Sequence, residues 1–189
     1  QVDTLSYYLY DTIELSKHWQ VMGGVRVDHW DADLSGAGIP GVVGDYSDSG
    51  VSVGGNVGVV YKPVKEGSIY AAYGTSNLPH GALFSNPDSS RTGGNGFPGF
   101  VADADPVRIH NYEVGVKWDW FDGKLSTTAA AFHTVKDDVA YRGPNGPLYG
   151  EQEVQGIELG IAGEITERWK VYGGVTFLDS ERKHGAAVD

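Results

Sequence analysis

Apolar and polar residues alternate one by one in segments of about ten residues from one end of this chain to the other, and nowhere does a 3.6-residue apolar period persist. The pattern predicts an all-β chain. Eight strands are expected, at Leu5–Leu15, Gln20–Trp30, Val51–Tyr61, Ser68–Ser76, Ile109–Trp120, Leu125–Lys136, Val154–Ile165 and Trp169–Leu178. Most exceed the usual strand length of about 5–6 residues. Their connections alternate as well. Ser16–His18, Lys62–Gly67, Phe121–Lys124 and Thr166–Arg168 are short turns, whereas Asp31–Gly50, Asn77–Arg108 and Asp137–Glu153 are long Gly/Pro/Asp-rich loops. In an up-and-down antiparallel sheet this puts every short turn at one end and every long loop at the other, the habit of transmembrane β-barrels.

Parity along the strands assigns the faces. From Asn111 to Trp120 one face reads Tyr112, Val114, Val116, Trp118, Trp120 and the other Asn111, Glu113, Gly115, Lys117, Asp119. A Lys or Arg on the lipid face at mid-depth costs about 2–4 kcal/mol, so the first face looks outward and Arg26, Glu113, Lys117 and Glu158 are expected to face the lumen. Inward polar groups need partners, so their simplest role is pairing across neighbouring strands. Trp19, Trp118, Trp120 and Trp169 all flank short turns, as the aromatic girdle at one membrane interface requires, and only Trp30 sits at the long-loop end. A soluble sandwich accounts for alternation equally well. Strand length, turn alternation and the gathering of Trp favour the barrel. The turn grammar even repeats, with Glu14–Val25 and Glu164–Val175 each placing a Gly-Gly pair inside the strand that follows.

Composition narrows the functional classes. With 14 Lys+Arg against 25 Asp+Glu the net charge is -11, which argues against a nucleic-acid partner. No apolar run approaches the ~18 residues of a membrane helix. The absence of Cys removes disulfide, thiolate-metal and CxxC chemistry, and no catalytic signature stands out. Gly94–Gly99 satisfies GxGxxG, but Pro98 and loop sequence on both sides defeat the helix that this fingerprint needs. His29, Asp31 and Asp33 share a face of an extended segment and could offer ligands to a divalent ion; a solvated strand end running into an acidic loop is the simpler reading. His133 and Asp137 would meet only on a helix. There is no GxSxG, and no enzyme, cofactor or metal centre is expected.

Five segments carry a resemblance. Trp19–Asp28 (WQVMGGVRVD), Val57–Pro63 (VGVVYKP), Gly67–Ser76 (GSIYAAYGTS), Asn111–Trp118 with Phe121–Leu125 (NYEVGVKW, FDGKL) and Gln155–Gly160 (QGIELG) resemble successive barrel strands of TonB-dependent siderophore receptors, in that family's order and across nearly the whole chain. The resemblance implies a 22-stranded outer-membrane barrel of a Gram-negative bacterium, plugged by an N-terminal domain and energised through TonB, that imports a ferric siderophore. Residues 1–189 would be a middle portion of that barrel, embedded in outer-membrane lipid, without plug, TonB box or closing strand. A catecholate siderophore is the ligand class that the resemblance favours. In such a receptor the loop 77–108 offers His80, Phe84, Arg91, Phe97, Phe100 and Arg108 as aromatic and cationic contacts for the ligand. A complete eight-stranded barrel with a structural or adhesion role is the alternative.

Overall fold

A computed structural model of the chain describes residues 2–34, 46–78, 106–143, 146–166 and 168–184. They form eight strands: β1 Val2–Glu14, β2 Trp19–Leu34, β3 Tyr46–Val64, β4 Gly67–Leu78, β5 Val107–Trp120, β6 Leu125–Gly143, β7 Gly146–Thr166 and β8 Trp169–His184. They build one sheet in the order β1 to β8, each strand antiparallel to the next. Among the described residues β1 does not pair with β8, so the sheet is an open wall rather than a closed eight-stranded barrel.

All eight expected strands are present, and several run further at the long-loop end. β2 continues to Leu34 and β3 begins at Tyr46, which shortens the expected loop Asp31–Gly50. The expected loop Asp137–Glu153 is itself a hairpin, with β6 and β7 separated only by residues 144–145. The signal was missing for a physical reason. Apolar alternation marks a strand only where one face meets an apolar medium, and these extensions carry polar residues on both faces while the backbone ladder continues.

At the opposite end neighbouring hairpins are tied together. The Lys62 amide donates to the His18 carbonyl at 2.8 Å, Asp119 to Glu66 at 2.7 Å, and Glu164 to Lys124 at 2.7 Å. The turn positions also reveal a stagger. The ladder row through Trp19 runs Tyr61, Ile69, Val116, Ala129, Leu159, Val175. Trp169 lies six residues before Val175 and six strands from Trp19, while Trp118 and Trp120 lie two and four residues past Val116 at three strands from Trp19. The four tryptophans therefore lie on a line that slips one residue per strand. One residue of about 3.3 Å against a strand spacing of about 4.8 Å inclines the strands by about 35°, within the range of barrel walls.

Candidate functional site

The two faces of this wall meet different media. Measured from the tryptophan line, the Trp-bearing face stays apolar or small for eight to ten residues on the inner strands of the sheet: Val21 to Val27 on β2, Tyr61 to Val53 on β3, Trp118 to Tyr112 on β5, and Trp169 to Phe177 on β8. Polar groups then begin together, at His29, Ser49, His110 and Asp179. At about 2.7 Å of height per inclined residue, this band is about 25 Å tall, the hydrocarbon span of outer-membrane barrels. Its side chains are not packed against protein. Leu9 is 71%, Val53 57% and Phe177 64% exposed, and the only buried apolar residues among those described are Trp30, Ala32 and Leu125. A soluble sandwich must bury such a face, so this one belongs against lipid. Asp11 is the one acid within the band among the described residues. It lies near the inner margin opposite Gly23, with Oδ1 accepting from the Thr12 amide at 2.7 Å.

Both margins carry aromatics. Trp19, Trp118, Trp120 and Trp169 mark the inner one, with Trp19 against Tyr61 at 4.5 Å between ring centroids and Trp118 against Trp120 at 5.9 Å. Tyr7, Tyr73, Tyr112 and Phe177 mark the outer one, where Tyr73 and Tyr112 lie 5.0 Å apart. This second row was readable in the sequence, because its members share parity with the tryptophans at the other end of the same segments.

Arg26, Glu113, Lys117 and Glu158 all take the opposite face. Arg26 Nε donates to the Asp28 carboxylate at 2.8 and 3.0 Å, and Nη2 donates to Ser6 Oγ at 3.0 Å. Ser6 Oγ in turn donates to Asp28 at 2.5 Å, closing a neutral triad. Glu113 accepts from Tyr70 Oη at 2.5 Å, and Lys117 lies 3.4 Å from Asp119 on its own strand. Glu158 makes no hydrogen bond or ion pair with a described residue. The expected cross-strand pairing thus holds for Arg26 and Glu113, whereas Lys117 is served within its own strand.

Register supplies a rule that the sequence hides: rings lie over glycines directly across the ladder. Tyr10 faces Gly24, Trp30 Gly50, Tyr70 Gly115, Trp118 Gly67 and Phe132 Gly156. A Cβ at Gly115 would sit 2.6 Å from the Tyr70 ring, and one at Gly67 2.6 Å from Trp118. The empty site lets the ring lie flat, covering backbone that glycine leaves bare.

Above the band, cross-strand pairs line the outward face. Tyr73 Oη meets His110 Nδ1 at 2.8 Å, His110 Nε2 lies 3.5 Å from Asp137, and His133 Nε2 lies 3.6 Å from Glu153. Lys183 bridges Glu151 and Glu153, and its hydrogen bond holds the Glu153 carboxyl down to about 2. Arg108 lies on this outward face, 3.5 Å from Asp138, whose left-handed backbone (φ 58°) sits in the bulge between Lys136 and Val139. His29 and Asp31 pair at 3.5 Å with no third ligand assembled, and the described residues hold no metal-binding cluster. His80, Phe84, Arg91, Phe97 and Phe100 lie outside the described residues, as does Gly94–Gly99.

The family model for the TonB dependent receptor-like β-barrel matches residues 1–189. Among curated proteins, the probable TonB-dependent siderophore receptor PiuA of Acinetobacter baumannii is 34% identical over 185 residues, covering 95% of this chain and 24% of the relative. The catecholate siderophore receptor Fiu of Escherichia coli K12 is 28% identical over 209 residues, covering 100% of this chain and 27% of the relative. Among solved structures, the closed form of Fiu superposes with a TM-score of 0.77 at 27% identity, over 97% of this chain and 28% of that one. PiuA superposes with a TM-score of 0.75 at 33% identity, over 95% of this chain and 26% of that one. The chain spans about a quarter of the length of these relatives.

Proposed function

The chain belongs to the TonB-dependent receptor β-barrel family of the Gram-negative outer membrane, and on that premise we propose that it forms part of the wall of a receptor that imports a ferric siderophore. One observation carries the reading: a sheet matching siderophore-receptor barrels over nearly its full length is apolar for about 25 Å on one face and polar on the other. The open wall favours this over a closed small barrel with a structural or adhesion role. In this reading the rest of a 22-stranded barrel and its plug complete the protein, TonB supplies the energy, and the long-loop end receives the ligand. No covalent chemistry and no resident cofactor are needed. A catecholate chelate is the first ligand class to test, because Fiu, similar over the whole chain, is a catecholate siderophore receptor.

Iron-starved cells lacking the intact receptor would be supplied with radiolabelled iron(III) bound to dihydroxybenzoylserine. Uptake should return when the intact receptor is restored and vanish when TonB is deleted. Equal uptake with and without the receptor refutes the ligand class, and receptor-dependent uptake that survives loss of TonB refutes energised transport.

A further inference from the structure

On the polar face the wall hollows into a bay of about 710 Å³ across β1–β5, the size of small-molecule sites, which run to roughly 300–1,000 Å³. Its floor is backbone: Gly24, Gly54 and Gly74 occupy inward positions on three successive strands. Tyr10, Arg26, Asn56 and Asn111 stand at its sides. The Arg26 charge is matched by Asp28, so the bay offers neutral hydrogen-bonding groups and no net field.

A second observation lies at its upper lip. Ser52 is one inward position beyond Gly54 and pairs across the ladder with Asp28, which lines the bay; Trp30 is one inward position beyond Asp28. Both are buried, at 5% and 3% exposure, and neither Ser52 Oγ nor Trp30 Nε1 has a hydrogen-bond partner. Buried donors are rarely left unpaired, because water is lost and nothing replaces it. Two such donors side by side at the mouth of a hollow indicate an oxygen acceptor that arrives from outside the described residues.

We propose that this bay is an inner contact site for the transported ligand, where an oxygen-rich metal chelate leaves the outer mouth through Trp30 and Ser52 and slides along the glycine floor of β2–β4. This rests on the proposed receptor function. Weak, uncharged contacts suit passage, since a site on a route must release what it holds. The route is off-centre, because the facing glycines of β5 and β7 are covered by Tyr70 and Phe132 while the floor between β2 and β4 stays open.

Gly74 is the position to test. A Cβ there meets only Asn56 Cβ at 3.8 Å and the Gly55 carbonyl at 3.9 Å, so a side chain enters the bay without a clash. In the intact receptor, Gly74→Trp should leave binding of the iron(III)–dihydroxybenzoylserine complex to de-energised cells within about twofold and cut energised uptake about tenfold, while Ala130→Trp on β6 leaves uptake unchanged. Trp30→Phe keeps the ring and removes the donor, and should slow uptake about fivefold. In a Gly74→Cys receptor with no other accessible thiol, a maleimide should label the bay, and the complex should protect it during energised uptake. A wild type that fails to bind the complex sinks the proposed function and this site with it. A wild type that binds, alongside a Gly74→Trp receptor that imports normally, overturns the site alone. So does equal loss in Gly74→Trp and Ala130→Trp, or a Gly74→Cys thiol that never labels because other polypeptide fills the bay.

Discussion

The inclination of the wall makes a prediction that two residues of one ladder row can test. Val57 and Asp179 lie in the same row, linked through Tyr73, Tyr112, His133 and Gln155. Were the rows parallel to the membrane plane, both would sit at one depth. With a slip of one residue per strand over five strands, Asp179 stands about 13 Å higher than Val57, at the outer margin, while Val57 lies near mid-depth. Val57→Arg should therefore destabilise the folded barrel by about 2–4 kcal/mol and Asp179→Arg by about 0–1 kcal/mol. Asn56→Arg, one residue from Val57 but on the lumen face, should fall within about 0.5 kcal/mol of wild type. Guanidinium titrations of the intact barrel in lipid vesicles, followed by tryptophan fluorescence, give the three values. Equal penalties at Val57 and Asp179 would refute the inclination. A larger penalty at Asn56 than at Val57 would refute the assignment of faces, and the membrane reading with it.

Gly115→Val should lift the Tyr70 ring off β5, break its hydrogen bond to Glu113 and destabilise the barrel by about 1–3 kcal/mol in the same titration; Tyr70→Phe should keep the ring over Gly115 and lose only about 1 kcal/mol. A double-mutant cycle of Arg26→Ala and Asp28→Asn should return a coupling of no more than about 1 kcal/mol, because the guanidinium is largely open to water. Lys183→Ala should raise the Glu153 carboxyl from about 2 toward its ordinary 4.5, read by carboxyl NMR titration. Since folding lowers that pKa, what the pair adds to stability is complete above 4.5 and is lost as the pH falls to about 2.

How far the sequence could be read depends on what each strand faces. Val21–Val27 and Tyr112–Trp118 announce themselves because lipid enforces alternation over the full band. The upper halves of β6 and β7 do not, since neither face there meets lipid, and Gly143 and Gly146 read as loop although they are paired. Parity placed Arg26, Glu113, Lys117 and Glu158 on the lumen face without register, because polarity alone sorts the two faces. Partners were another matter. Tyr70 and Glu113 are separated by 43 residues, and nothing local indicates that the phenol meets that carboxylate or that Gly115 makes room for its ring. Arg108 shows the opposite limit: its residue type suited a ligand contact, but the register of β5 turns it outward to Asp138.

The net charge of -11 settles into place once these faces are known. Above the band, the outward face carries acids such as Asp31, Asp137, Glu151 and Glu153, with Arg108 and Lys183 among the few cations they pair with. Within the lumen Arg26 is neutralised by Asp28 and Lys117 by Asp119, which leaves Glu113, bonded to Tyr70, and Glu158 as the excess. A wall of this kind cannot draw an anionic chelate inward by its field, because its cations are already matched and its surplus is negative. Attraction, if the ligand is anionic, must come from groups outside these strands. What the wall supplies is short-range hydrogen bonding over a floor of glycine, so substitutions that reverse the charge of Arg26 or Lys117 should shift the passage rate far less than one that fills the space above Gly74.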